Sequence, residues 1–296
     1  MSATIKPSPM RLSPRQMVAY RLLRHSSFYL GAAIISTIVV AAVLAPLLTR
    51  YDPTSQLLSD RLIAPIWGPD GTWDHILGTD QVGRDMWSRL IYGSRLSLTI
   101  ALFTVVISGT IGTTLGIVAG YWRGTVDLAV NFLITVRLAL PVVLVALVIV
   151  ALFGASVTVI TLVIGFLLWD RFAIVVRNAT RQLMDREFVT SARVIGSSDL
   201  RILVRELLPN LTGPLIVVAS VELAQAVLLE AALSFLGLGV RSPDFTWGLM
   251  ISEAKSQLLF RPYLVAIPSI ALVALILAMN LMGDALRDAL TPESRN

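Results

Sequence analysis

The chain has 296 residues, of which 55% are hydrophobic and 15% charged, with a mean hydropathy of +0.77 and a formal charge of +5. Soluble domains carry roughly 25% charged residues, so a soluble fold is excluded and lipid must be part of this protein's solvent. With no cysteine and two histidines, His25 and His75, disulfides, iron–sulfur clusters and Cys- or His-rich metal sites are excluded as well, and no metal ligand is assigned.

Residues 1–27 carry Lys6, Arg11, Arg15, Arg21 and Arg24 with no acid, which places this tail on the cytoplasmic side. A bilayer core about 30 Å thick needs roughly 20 apolar helical residues, and Phe28–Leu48 supplies them without a charge. A cleaved signal peptide is the competing reading of this run, but it is too long and no clean A-x-A site follows.

The segment from Arg50 to Arg95 holds six aspartates against five arginines, a balance suited to an external loop. Its Gly78-Thr79-Asp80 and Gly83-Arg84-Asp85 are turn chemistry, and Met86–Tyr92 reads as a short amphipathic helix. Trp87 and Tyr92 suit the water–lipid interface, and this helix either lies on that surface or docks an external partner.

Leu96–Tyr121 is a second uncharged span, with Ser108, Gly109, Gly112 and Gly116 providing small residues for close helix packing. Val126–Phe153 is a third, interrupted at Pro141 and carrying Asp127 and Arg137. Val157 to about Val176 is a fourth; Leu211–Leu236, with Glu222 and Glu230, a fifth; Tyr263–Met282 a sixth. Between the fourth and fifth, Asp170–Asn210 holds seven arginines and is expected inside the cell. The predicted architecture is therefore an all-α, polytopic membrane protein with six transmembrane helices and both termini cytoplasmic.

The lysines decide the energy source. A phosphate-binding loop needs G-x-x-x-x-G-K-[ST], and neither Lys6 nor Lys255 follows a glycine in that pattern. The chain binds no ATP by that route, and an ATP-driven role requires an ATPase on another polypeptide. The few basic residues outside the spans act as topology signals rather than as a nucleic-acid surface.

Glu187–Ile195 reads as a helix stopped at Gly196, and Ser197-Ser198-Asp199 as the cap of a second. In the second, Leu200, Leu203, Val204 and Leu207 fall at i, i+3, i+4 and i+7, Arg201 and Arg205 lie on another side, and Pro209 ends it. Such a helix–turn–helix is oversized for a connector. It fits either a groove on a cytoplasmic protein or an anionic lipid surface.

The run Ser191-Ala192, three residues, Gly196, then Leu207-Leu208-Pro209 resembles the "EAA" loop of ABC-importer permeases, with Thr190 and Ser191 in place of the usual Glu and Ala. Three further blocks resemble the C-type permease of dipeptide/oligopeptide (peptide/nickel) importers. They are His75–Asp85 continuing through Arg95, then Ala232–Gly239 with Trp247-Gly248, and finally Asn280–Pro292. Together the blocks run in order from about residue 28 to the end.

The resemblance implies a type I ABC importer permease fold in which residues 28–95 form the first helix and external loop and residues 96–296 the core permease domain. It implies a B-type permease partner, two cytoplasmic ATP-binding subunits that hold ATP and Mg, and an extracytoplasmic solute-binding protein, all in or at the bacterial inner membrane. It makes Glu187, Thr190, Ser191, Ala192, Gly196, Asp199, Leu207, Leu208 and Pro209 the ATPase-coupling loop. Peptides are the expected solute, with nickel chelates, glutathione and opines served by similar permeases.

Ionisable residues within spans face protein or water. Glu230 matches the family's usual Glu and either hydrogen-bonds structurally or lines the path. Glu222, about two turns deeper, either lines the path or pairs with Arg137. Asp127 opens its helix, where a carboxylate favours the N-terminal dipole; Arg137, where similar permeases carry an acid two positions earlier, is a candidate for tuning substrate charge. No nucleophile–base set exists, so no catalytic residue is assigned and the chain is a non-catalytic subunit. An ion-coupled secondary transporter would want inverted repeats, which are absent, and a membrane hydrolase would want an H-E-x-x-H set, also absent.

Overall fold

The computed structural model describes residues 20, 22 and 25–290. The basic tail residues Lys6, Arg11, Arg15, Arg21 and Arg24 and the closing Thr291-Pro292 lie outside the described residues. Within them the regular structure is helical apart from one isolated bridge between Thr79 and Asp85, and residues 49–85 are mostly turn and irregular chain.

Five helical stretches are long and apolar enough to cross a membrane. Helix α1 is Ser26–Val43, and α2, Met86–Trp122, is a single rod of 37 residues. The segment Met86–Tyr92, expected as a separate interfacial helix, is thus the first two turns of the second span. Asp85 caps it by accepting from the Ser88 N–H at 2.8 Å, and no breaker interrupts the run into Leu96.

The third predicted span is two helices, α3 (Gly124–Ala139) and α4 (Val142–Phe153), bent by 84°. Pro141 offers no N–H and pushes Leu140 into an extended conformation (φ −95°, ψ 125°), so the helix stops there. Helices α5 (Val157–Leu167) and α6 (Trp169–Met184) run on as one stretch of 28 residues. The fourth span therefore absorbs the first arginines assigned to the following loop. After α7 (Glu187–Val194) and an irregular helical segment come α8 (Thr212–Phe235), a short α9 (Trp247–Ala254) and α10 (Tyr263–Leu290).

Helix α2 is the centre of the bundle and packs on α6, α5, α8 and α1. Its closest neighbour is α6, and the reason is a run of glycines. A Cβ on Gly112 would stand 2.3 Å from the Trp169 carbonyl, one on Gly116 2.7 Å from the Ala173 carbonyl, and one on Gly120 2.7 Å from Thr180 Cβ. Backbone therefore touches backbone, as the small residues in this span predicted. Ile100, Ile160, Ile164, Val227, Leu233, Trp247 and Leu275 fill the main core between α2, α5, α8, α9 and α10. Leu102, Phe103, Val106, Leu144 and Leu152 face outward and exposed, as a bilayer requires.

Candidate functional site: an elbow and three ion-paired helices

Helix α7 ends in a closed left-handed turn. Gly196 adopts φ +82°, its N–H bonds the Arg193 carbonyl at 2.9 Å, and the Ser197 N–H bonds the Ala192 carbonyl at 3.0 Å. This is a Schellman stop, and it fixes the angle at which the chain re-enters helix at Asp199. The second limb differs from its expected form. Ile202–Leu207 is wound as a π-helix before Leu208–Asn210 resumes the α-helical winding. The wider turn moves the register, so the side chains that anchor it are Ile202 and Leu207, both fully buried, while Leu200 and Val204 of the predicted apolar face are 70% and 52% exposed. Ser198 makes no capping bond from its side chain, and Asp199 accepts instead from the Tyr121 hydroxyl of α2 at 2.5 Å.

The elbow consequently has a dry foot and an apolar tip. Val189, Ile202, Leu207 and Leu211 pack with Ile117, Tyr121, Val176 and Met184 at the end of α2 and α6. Glu187, Thr190, Ser191, Gly196, Asp199, Leu208 and Pro209 are exposed, and Ala192 is half-buried. Val194 and Ile195 at the turn are each 82% exposed. Two adjacent aliphatic side chains thus stand in the open on a packed base.

Deeper along the same helices, charges pair across α3, α6 and α8. Arg177 and Arg181 of α6 both hold Asp127, Arg177 Nη2 donating to Oδ2 at 2.9 Å. Asp127 is thus an ion-pair hub as well as a first-turn acid, since Arg177 and Arg181 are four residues apart on one helix face. Arg137 pairs with Asp170 at 3.3 Å and its Nε donates to the Leu167 carbonyl. Glu222 pairs with Arg171 at 3.3 Å, not with Arg137. The expected Arg137–Glu222 pair is replaced by two pairs, because Asp170 and Arg171, neighbours at the start of α6, reach α3 and α8 respectively.

Residues 112–296 match the family model described as "Binding-protein-dependent transport system inner membrane component", and residues 13–65 match "N-terminal TM domain of oligopeptide transport permease C". The chain belongs to the binding-protein-dependent inner-membrane permeases. It is 36% identical to the dipeptide transport system permease protein DppC of Haemophilus influenzae, over 95% of each chain. It is 36% identical to the di/tripeptide permease DppC of Pseudomonas aeruginosa, over 99% of this chain and 95% of that one. It is 35% identical to the glutathione permease GsiD of Pectobacterium atrosepticum, over 93% and 90%. Among solved structures, a chain of the inward-facing MetNI methionine ABC transporter superposes with a TM-score of 0.55 at 18% identity, covering 70% of this chain and 97% of that one. The fold is that of a type I ABC importer permease.

At the opposite end of α2 this permease holds a second ionic cluster that sequence reasoning did not foresee. Arg84 and Arg89 each bridge Asp80 and Glu253, with four N–O distances between 2.6 and 2.8 Å. Arg89 is 1% exposed, and its guanidinium lies 5.4 Å from the centre of the Phe245 ring. The four-cornered arrangement ties the 50–95 loop to α9, whose Glu253 lies 164 residues from Arg89. His75, which opens the first of the family-like blocks, is buried 2.9 Å from Asp85 and stacks on Tyr51 at 4.7 Å. Glu230 is buried in protein, with Oε1 accepting from Ser234 at 2.7 Å and Thr246 at 2.6 Å. Its carboxylate thereby joins α8 to the N-cap of α9.

Proposed function

We propose that this permease is the C-type half of a peptide importer. In this reading it pairs with a B-type permease, receives peptides from an extracytoplasmic binding protein, and seats its Glu187–Pro209 elbow in one of two cytoplasmic ATPases. ATP and Mg belong to those ATPases, both termini lie in the cytoplasm, and this chain performs no chemistry itself. The observation that carries the reading is the elbow: Val194 and Ile195, each 82% exposed, stand on a foot whose Val189, Ile202 and Leu207 are fully buried. A lipid-facing connector has no need of a closed turn on a packed base, whereas a stroke can be relayed only through a rigid one. The relay also needs contacts that differ between the motor's two states, or no free energy passes. Peptide as the solute is supported by relatives described as dipeptide and di/tripeptide permeases that align over almost the whole chain.

The test is uptake of a labelled dipeptide by proteoliposomes holding the chain with its B-type partner, ATPases and binding protein. Uptake should require ATP, and Val194→Glu with Ile195→Glu should release the ATPases from the membrane. Uptake by the chain alone, or ATPase retention by the double variant, overturns the reading. Competition by glutathione separates the dipeptide reading from the one favoured by the GsiD relative.

A further inference from the structure

Helix α1 is held to the bundle near both of its ends and stands off it between them. Near its start, a Cβ on Gly31 would stand 2.7 Å from the Ala278 carbonyl of α10, so the two backbones touch. At its last turn, Arg95 of α2 donates from Nε to the Ala42 carbonyl and from Nη2 to the Val43 carbonyl, the latter at 2.9 Å. Further on, the Trp87 indole N–H donates to the Leu48 carbonyl at 2.9 Å. Of the 18 residues of α1, only Gly31 and Ala42 are buried. A groove of about 670 Å³ opens between the pins, walled by Ile35 and Val39 of α1, Leu98 and Leu102 of α2, Leu223 of α8 and Met279 of α10.

The size of the groove and the residues at its ends say what fills it. From Ile35 to Val43 it runs about 12 Å at 1.5 Å per residue, close to half of a hydrocarbon layer about 30 Å thick. A helix with its side chains is about 10–12 Å wide, so a volume of 670 Å³ holds only about five helical residues. Closed by contacts at both ends, the groove admits a narrow flexible chain rather than a helix of another subunit. Arg95 is the one charged residue in its lining. The chain itself fixes which end that is: beyond Leu48 the apolar run gives way to Thr49, Arg50 and Asp52. Trp87 and Tyr92 stand beside it, residues of the kind that sit at lipid headgroups. Two of the five N–H donors of Arg95 cap α1 and its guanidinium lies 5.2 Å from the Tyr92 ring, but among the described residues no carboxylate pairs with it.

We propose that this groove holds an acyl chain of an anionic phospholipid whose phosphate accepts from Arg95. The guanidinium fork matches phosphate oxygens and carries a charge that nothing in the chain offsets. Its aliphatic stem runs along the apolar wall while the head reaches the headgroup layer. The acyl chain completes the packing of α1, because an empty groove leaves the atoms on both walls without partners. A second hollow, of about 510 Å³ on the other side of α1, has Trp87 and Trp247 in its lining and no charged residue. With no cation to hold a headgroup, that hollow does not select a lipid by charge.

The test uses the transporter purified from membranes through this chain and placed in nanodiscs of equal phosphatidylglycerol and phosphatidylcholine. After mild detergent extraction, mass spectrometry should find phosphatidylglycerol retained in preference to phosphatidylcholine. Arg95→Gln should weaken that retention about tenfold, the scale of one charge-assisted hydrogen bond, and Arg95→Lys should keep most of it. Arg95→Gln also removes a cap from α1, so Val39→Trp, which fills the groove and leaves the cap in place, is the second variant. It should expel the lipid with α1 still docked. Arg50→Gln, at an exposed cation of the neighbouring loop, should leave retention unchanged. Equal retention of the two lipids by the unaltered protein, or undiminished phosphatidylglycerol in Arg95→Gln, overturns the proposal. Release of another subunit by Val39→Trp with lipid retention unchanged assigns the groove to that subunit and overturns it too.

Discussion

The Tyr121 hydroxyl donates to Asp199 Oδ1 at 2.5 Å, joining the last turn of α2 to the second limb of the elbow. The Arg193 guanidinium from the first limb stands 5.3 Å from the same ring. One aromatic side chain thus touches both sides of the Gly196 turn. Tyr121→Phe keeps the ring and its packing and removes only the hydroxyl. A hydrogen bond to a charged group contributes about 1.5–3 kcal/mol, less at an exposed acceptor such as Asp199. Solute uptake by the assembled transporter should fall several-fold with unchanged membrane abundance. Wild-type uptake would show that the elbow is held by its apolar foot alone.

Gly196 offers a cleaner perturbation of the same turn. A Cβ there would meet no atom within 4 Å, so the only obstacle to a side chain is φ +82°. Left-handed backbone costs an L-residue about 1–2 kcal/mol, with β-branched residues worst placed. Gly196→Val should raise the ATP hydrolysed per solute imported, whereas Gly196→Asn, which tolerates this conformation, should stay close to wild type. Equal coupling ratios in the two variants would argue against a backbone effect.

The contact between α2 and α6 predicts opposite outcomes at two glycines one turn apart. At Gly112 a Cβ would stand 2.3 Å from the Trp169 carbonyl and 2.5 Å from Phe172 Cβ, while at Gly109 the nearest atom is 3.5 Å away in the Phe172 ring. Gly112→Ala should destabilise by about 1–3 kcal/mol or more through overpacking, seen as a lower melting temperature in detergent. Gly109→Ala should leave that temperature unchanged within error.

The bridged arginines at the other end separate buried from exposed pairing. Asp80→Asn leaves Arg89 buried with half of its anionic partners gone, and removing one member of a buried pair costs about 3–5 kcal/mol. Arg50→Gln breaks the Arg50–Asp74 contact, where both side chains are more than two-thirds exposed, and should cost about 0–1 kcal/mol. Thermal unfolding of the two purified variants gives the comparison directly.

The bundle was largely legible in the sequence because lipid imposes a simple rule: about 20 apolar residues per crossing. The glycines at 112 and 116 read correctly for the same reason, being small residues on one helix face. The bend at Pro141 was visible as an interruption but its 84° was not, since proline removes a bond without fixing where the next helix points. The charges were harder. Arg137 meets Asp170 and Glu222 meets Arg171 across separations that no local pattern encodes. The apolar face expected at Leu200 and Val204 assumed 3.6 residues per turn, and the π winding of Ile202–Leu207 turned it outward.

Helix α2 runs unbroken for 37 residues, about 55 Å, with the bridged arginines at one end and Tyr121 at the other. No proline interrupts it, so its two ends belong to one continuous helix and a tilt of one end is geometrically a tilt of the other. If the elbow seats in an ATPase as proposed, linkage would run both ways: whatever factor a ligand at the loop end applied to that grip, the ATPase would apply in return to the ligand.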